Sequence, residues 1–382
     1  MQYVMLKDIC DINMGQSPSS ESYNENKKGM PFFQGNADFG ERYPIARKWS
    51  SAPTKIAEAG DILISVRAPI GAVNYATERC CIGRGLAALT PNKCKASSEF
   101  IFWLLKAKHD ELNSKGTGST FKAVGRKVLE EILVPNISLE KQIKYSKNLE
   151  EVYLILQSRK MELEKLDELI KSRFVEIFGD PLFNTSRWEE IVLSAATIKI
   201  GSGATPKGGK ESYQNEGISF IRSMNVHDGR FEYKDLAHIT DVQAKQLDNV
   251  SVKEGDVFIN ITGASVARSC IVPKEILPAR VNQHVAIIRC DKTKLNPIFA
   301  NNMFLNERFK KLLLSIGELG GATRQAITKQ QLEMLTIILP PLKLQNQFAD
   351  FVNQVDKSKV AVQKSLDETQ LLFDSLMQKY FG

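Results

Sequence analysis

Residues 132–143 read Ile132-Leu133-Val134-Pro135-Asn136-Ile137-Ser138-Leu139-Glu140-Lys141-Gln142-Ile143. Residues 337–348 read Ile337-Ile338-Leu339-Pro340-Pro341-Leu342-Lys343-Leu344-Gln345-Asn346-Gln347-Phe348. In both, a short apolar run meets proline and leads into a long stretch of mixed charged and apolar residues. Aligned on Pro135 and Pro340, Leu139, Gln142 and Ile143 fall against Leu344, Gln347 and Phe348. Working outward, the same order of motifs recurs. Gly118-Ser119-Thr120 with Ala123-Val124 mirrors Gly321-Ala322-Thr323 with Ala326-Ile327, and Gly60-Asp61-Ile62-Leu63-Ile64 mirrors Gly255-Asp256-Val257-Phe258-Ile259. Pro31-Phe32-Phe33-Gln34 mirrors Ser219-Phe220-Ile221-Arg222, and Ile177-Phe178-Gly179 mirrors Tyr380-Phe381-Gly382. One such match is cheap, but an ordered series marks an internal duplication.

Each copy has two parts. The first, residues 1–137 and 185–341, holds short apolar runs punctuated by Gly, Pro, Asn and Ser. Ile62-Leu63-Ile64-Ser65-Val66 and Val257-Phe258-Ile259-Asn260-Ile261 read as strands entered from a Gly-Asp turn. Leu86-Ala87-Ala88-Leu89 and Val285-Ala286-Ile287-Ile288 read as buried strands, and helical patterns span 98–109 and 296–315, so each unit is mixed α/β. The second part, residues 138–179 and 342–382, reads as one long helix in each copy. Leu149, Val152, Leu156, Leu163, Leu166, Ile170 and Ile177 fall on alternating three- and four-residue steps, broken by Arg159 and Arg173. Phe348, Val352, Val355, Val362, Leu366, Phe373, Leu376 and Tyr380 keep the same rhythm, broken by Lys359 and Thr369. A sustained 3.5-residue apolar repeat predicts a coiled-coil seam. Gly179 and Gly382 suit the helix ends. The predicted architecture is two globular α/β units joined by two long antiparallel coiled-coil helices, related by a pseudo-two-fold.

At 382 residues the chain is long enough for two or three domains. Hydrophobic residues at 43% and charged residues at 25% exclude wholesale disorder. No run reaches the 18 apolar residues of a membrane span, the best being residues 335–342 with Pro340-Pro341 inside it. The start lacks a signal-peptide pattern, and the six cysteines include no Cys-x-x-Cys pair, so free thiols in the cytoplasm are expected. The net charge of +7 permits an anionic partner without requiring one.

Side chains suited to nucleic acid cluster in or beside the predicted loops. In the first unit they are Gln34, Asn36, Arg42, Arg47, Lys48, Arg67, Arg84, Lys122 and Arg126. In the second they are Thr205, Lys207, Lys210, Arg222, Asn225, Arg268, Asn282, Gln283, His284, Arg324 and Gln325. Arg and Lys pair with phosphates or guanine acceptors, and Asn and Gln match adenine bidentately. Loop surfaces carry such residues in any protein, so the set argues more than its members do.

Gly201-Ser202-Gly203-Ala204-Thr205-Pro206 and Ile218-Ser219-Phe220-Ile221-Arg222-Ser223-Met224-Asn225 resemble the target recognition domains of type I restriction-modification specificity subunits. So do Gly255-Asp256-Val257-Phe258-Ile259-Asn260-Ile261-Thr262-Gly263-Ala264-Ser265 and Val281-Asn282-Gln283-His284-Val285-Ala286-Ile287-Ile288. The first unit departs from the pattern, with Gly15-Gln16-Ser17-Pro18 at the glycine turn and Ile82-Gly83-Arg84-Gly85 opposite Val281-Asn282-Gln283-His284. The resemblance covers essentially the whole chain. It implies a non-catalytic reader of double-stranded DNA with a bipartite target, each unit reading one half and the helices measuring the spacer. It further implies two methylation subunits, which carry S-adenosylmethionine and modify adenine, and ATP-driven restriction subunits in the full complex; this chain itself would bind no cofactor and no metal.

Two other classes compete. Asp180-Pro181-Leu182-Phe183 resembles the Asp-Pro-Pro-Phe loop of adenine methyltransferases, which suggests a stand-alone methyltransferase or nuclease. Leu182 replaces the second proline, no glycine-rich cofactor loop lies upstream, and the segment follows a predicted helix end. Gly201-x-Gly203 lacks a third glycine and a following helix, and no Gly-x4-Gly-Lys-Ser/Thr loop occurs. The four histidines are too scattered for a paired metal motif, and no clustered carboxylates suggest a metal-dependent nuclease. The coiled-coil seam alone would also suit a two-headed protein-binding scaffold.

Overall fold

The computed structural model describes residues 2–118, 122–206, 208–209, 213–318 and 325–382. Its contacts divide into two units: Met1–Met161 with Gln363–Gly382, and Glu162–Val362. Each unit therefore holds one globular region and a stretch of both long helices.

In the first unit, Cys10–Met14, Leu86–Pro91, Ile62–Ser65 and Val73–Tyr75 form a four-stranded antiparallel sheet in that order. The apolar run Ile62-Leu63-Ile64 is wholly buried because both faces of this sheet are covered. Alternation along a strand sends Ile62 and Ile64 into the core with Phe100, Ile101 and Leu104 of helix Ser98–Ala107. It sends Leu63 the other way, against Phe33, Ala57 and Ile82. These last belong to a five-stranded sheet in the order Tyr23–Asn24, Trp49–Ser50, Met30–Phe33, Cys80–Ile82, Ile56–Ala57, in which Met30–Phe33 runs parallel to Cys80–Ile82.

The second unit repeats the plan. Thr197–Ser202, Val285–Cys290, Val257–Asn260 and Ser269–Ile271 make its four-stranded sheet. Val257 and Ile259 face the helical core with Phe299, Met303 and Phe304, while Phe258 faces Phe220, Val281 and Ile239. Ile218–Ile221 runs parallel to Ala279–Val281, as its counterpart does in the first unit. In each unit a two-stranded ribbon, Tyr3–Met5 with Leu133–Pro135 or Glu189–Val192 with Thr336–Leu339, leads into the long helix.

The long helices are Leu139–Phe178 and Leu342–Phe381, 40 residues each, about 60 Å at 1.5 Å per residue. Within each unit they pair antiparallel. In the first, Tyr145 stacks on Tyr380 at 3.9 Å between centroids, and Tyr153 lies 6.3 Å from Phe373. In the second, Phe174 and Phe178 each lie 5.5 Å from Phe348, and Lys359 pairs with Asp167 at 2.5 Å. Leu149, Leu156, Ile170, Phe348, Val352, Val355, Val362 and Tyr380 of the expected seam are buried; Val152, Leu163, Leu166, Ile177, Leu366, Phe373 and Leu376 are half-buried. Phe174 and Phe178, outside that seam, are also buried, because there the helix packs on Phe299 of the globular region as well.

One expectation is corrected. The buried Gln142 accepts the Ser97 N–H at 3.0 Å through Oε1, and its Nε2 donates to the carbonyls of Lys95 and Ile137, both at 3.1 Å. The buried Gln345 accepts the Asn296 N–H at 2.8 Å, and its Nε2 donates to the carbonyls of Lys294 at 3.1 Å and Pro340 at 2.7 Å. Gln142 therefore corresponds to Gln345, not Gln347, and Ile137 to Pro340. The proline-anchored alignment is two residues out of register. An apolar-then-proline pattern marks a strand end or a helix start equally well, and here Pro135 closes a strand while Pro340 precedes the helix. A buried amide with three bonds has one geometry, so it fixes the register.

Candidate nucleic-acid interface

In each unit the loops after the strands are stitched edge to edge by backbone hydrogen bonds, and the two patterns correspond bond for bond. In the first unit the Gly83 N–H donates to Phe33 O, Val66 N–H to Gly85 O, Val124 N–H to Val66 O and Ala68 N–H to Lys122 O. In the second, Asn282 N–H donates to Ile221 O, Ile261 N–H to His284 O, Ile327 N–H to Ile261 O and Gly263 N–H to Gln325 O. The glycine turn closes onto this surface from the side. A Cβ on Gly15 would stand 2.2 Å from Gly83 O, and one on Gly203 would stand 1.8 Å from Val281 O. Only a residue without a side chain allows that approach.

This stitching gathers Gln34, Arg67, Arg84 and Lys122 on the first unit. All four side chains are exposed and have no hydrogen-bond or ion-pair partner among the described residues. Three uncompensated cations and an amide on one loop surface make a concentrated positive field suited to a polyanion. Asn36 is half-buried and opens the turn Asn36–Asp38, whose Asp38 carboxylate accepts the Gln34 N–H at 2.7 Å. Arg47 and Lys48 are exposed beside strand Met30–Phe33, where Lys48 O accepts the Phe32 N–H. Arg126 pairs with Glu130 at 2.7 Å on its own short helix. Arg42, by contrast, pairs with Glu150 of the long helix at 2.6 Å and lies 5.1 Å over the Phe102 ring. That guanidinium ties the globular region to the helix and is not available to a ligand.

On the second unit Thr205, Arg222, Gln283, His284 and Gln325 come together. Thr205 Oγ1 meets Gln283 Oε1 at 2.5 Å, Gln283 Nε2 meets His284 Nε2 at 3.1 Å, and His284 Nδ1 meets Thr262 Oγ1 at 2.5 Å. The donor order that satisfies every atom runs from Thr205 through Gln283 and His284 to Thr262, with the imidazole proton on Nδ1. Arg222 donates to Asp235 O and lies 5.4 Å from the Tyr213 ring centroid, so its guanidinium is held in place before any ligand arrives. Gln325 Nε2 donates to Glu318 Oε1 at 3.0 Å. Arg268 is half-buried next to strand Ser269–Ile271.

Asn225 and Asn282 are supports of this surface, not part of it. Asn225 is fully buried; it accepts the Arg222 N–H at 3.1 Å and donates to Glu232 O at 3.0 Å. The Asn282 amide is buried and accepts the His284 N–H at 2.9 Å. Asn225 is thus committed to backbone through both of its amide atoms, and Asn282 through its Oδ1. Lys207, Lys210 and Arg324 lie outside the described residues. Ser17, Thr262 and Tyr213 are not among the candidates read from sequence. Ser17 in the glycine turn and Thr262 in the run after a strand carried a local signal; Tyr213 carried none.

The Asp180-Pro181-Leu182-Phe183 segment is a helix stop. Gly179 takes φ +74°, Asp180 Oδ1 accepts the Leu182 N–H at 2.9 Å, and Asp180 Oδ2 pairs with Arg308 at 2.9 Å. Its carboxylate is therefore engaged by the fold. Among the described residues no three His, Cys, Asp or Glu side chains gather as a metal site, and no helix is long and apolar enough to cross a membrane.

The family model of the type I restriction modification DNA specificity domain matches residues 1–167 and 195–369. A candidate type I restriction enzyme MjaX specificity subunit of Methanocaldococcus jannaschii is 41% identical over 160 residues, which make up 42% of this chain and 38% of that relative's length. The type I restriction enzyme MjaIX specificity subunit of the same organism is 25% identical over 407 residues, covering 98% of this chain and 91% of the relative. Among solved structures, the type I restriction-modification system S subunit from M. genitalium superposes with a TM-score of 0.61 at 14% identity, over 100% of this chain and 96% of that one. At that identity the likeness concerns the fold alone.

Proposed function

The chain belongs to the type I restriction modification DNA specificity family, and from that premise we propose that it reads a bipartite target on double-stranded DNA. Each unit reads one half, and the two helices, continuous from one unit into the other, set the unread spacer. Two methylation subunits, carrying S-adenosylmethionine, modify adenine at the site so chosen, and ATP-driven restriction subunits complete the assembly in the cytoplasm. The chain contributes recognition and no catalysis, and needs no cofactor of its own.

The observation that carries this reading is the twice-built loop surface. The same strands and the same stitching bonds present different polar side chains in each unit, as a reader of two different words requires. Exposed Arg and Lys supply the phosphate contacts that fix register, and Gln and Arg supply base-edge contacts.

The test is a footprint of the chain assembled with its methylation subunit. The expected result is two protected blocks of defined sequence separated by a spacer of fixed length but free sequence. Protection of a single contiguous block, or methyl transfer by the isolated chain, would overturn the proposal.

A further inference from the structure

The two loop surfaces differ at two corresponding positions in a way that amounts to an exchange. In the first unit Phe33 stands opposite Ile82 in the parallel pair, and in the second Ile221 stands opposite Val281. The residue leaving the first strand of each pair is Gln34 in one unit and Arg222 in the other. Two residues past the end of the partner strand stand Arg84 and Gln283.

A second contact joins the corresponding positions in each unit, reaching the backbone of Arg84 in one and the side chain of Gln283 in the other. Ser17 Oγ accepts the Arg84 N–H at 3.3 Å, and Thr205 Oγ1 meets Gln283 Oε1 at 2.5 Å. Ser17 and Thr205 each sit two residues after the close-packed glycine and one before a proline. Each unit thus presents one guanidinium and one carboxamide on the same two positions, with the order reversed.

The chemistry gives that reversal a meaning. A guanidinium matches the paired acceptors O6 and N7 of guanine, and a carboxamide matches the donor and acceptor N6 and N7 of adenine. Gln34, Arg84 and Gln283 are exposed, and Arg222 is steadied by the Tyr213 ring and Asp235 O. We propose that these two positions are the principal base-reading positions of each unit. The exchange then makes the two half-sites ask for adenine and guanine in opposite order along the recognition surface. This rests on the DNA-reading function proposed above and assigns its specificity to four side chains.

The experiment maps the methylated motif in a host expressing the chain with its methylation subunit, for the wild type and two double variants. Gln34→Arg with Arg84→Gln is expected to change the bases of one half-site only. Arg222→Gln with Gln283→Arg is expected to change the other half only. Binding of the original site should weaken roughly ten- to a hundredfold relative to the newly preferred one. A bipartite wild-type motif that survives both double variants would overturn the inference and leave the function standing. Equal weakening on every DNA sequence would also overturn it, reassigning these side chains to phosphates. A wild type with no two-part motif would remove the functional reading instead. Should a double variant not assemble, Arg84→Ala serves alone, since that exposed side chain has no partner among the described residues. It is expected to relax the motif at one guanine, and an unrelaxed motif would overturn the inference.

Discussion

At the residue scale, the polar side chains that matter most to the fold are those hidden from water. Gln142 and Gln345 each saturate an amide between the start of a long helix and the loop before a domain helix. Gln345→Leu keeps the volume but orphans the Asn296 N–H and the Lys294 and Pro340 carbonyls. A loss of about 1–3 kcal/mol in denaturant unfolding is expected, and no loss would mean that water replaces the amide. The cysteines behave alike for a different reason. Burial pushes the Cys10, Cys80, Cys270 and Cys290 thiols up to about 12, whereas Cys94 is exposed. The thiolate is the reactive form, and a raised value leaves it unpopulated at neutral or mildly alkaline pH. In native protein at pH 8 a thiol reagent should modify Cys94 rapidly and these four only on unfolding; fast labelling of all of them would show that the cores open.

At the scale of elements, the long helices have two duties. The 3.5-residue seam serves helix against helix, and its polar breaks fall at Arg159, Arg173, Lys359 and Thr369, Lys359 being paired with Asp167. Where the helix also carries a globular region its apolar surface must serve two partners, and Phe174 and Phe178 do so by meeting both Phe348 of the other helix and Phe299 of the domain. Phe174→Ala removes a fully buried ring from an aromatic cluster shared by both helices and the domain. It should cost about 3–5 kcal/mol in chemical unfolding. A loss below about 1 kcal/mol would show that the cluster collapses to fill the space. That double duty was not legible in the heptad, because periodicity reports one stripe at a time and Phe299 is far away in the chain.

At the scale of the whole molecule, duplication is the organising fact. Exchange of residues 185–341 for the corresponding unit of a homologue should alter one half of the DNA target and leave the other. Sequencing of methylated positions checks this, and a target changed in both halves would show that the units do not read separately. Much of this is written in the amino-acid sequence. Apolar periodicity marked the strands and both helices, and the repeat paired Gln34 with Arg222 and Arg84 with Gln283. The register after Pro135 and Pro340 was misplaced by two residues until the buried glutamines fixed it.

The sequence alone determined the two-copy plan, the α/β character of each unit and the long helices, because repeats and apolar spacing are local properties of the chain. Only the tertiary structure decided which polar loop residues face outward. Asn225 and Asn282 are amides like Gln34 and Gln283, yet the first pair is buried with its Oδ1 atoms on backbone N–H groups, while the second is exposed, Gln283 held there by Thr205 and His284. Whether an amide reads a ligand or props a loop depends on carbonyls and N–H groups brought to it by other strands, and no neighbour in sequence announces them.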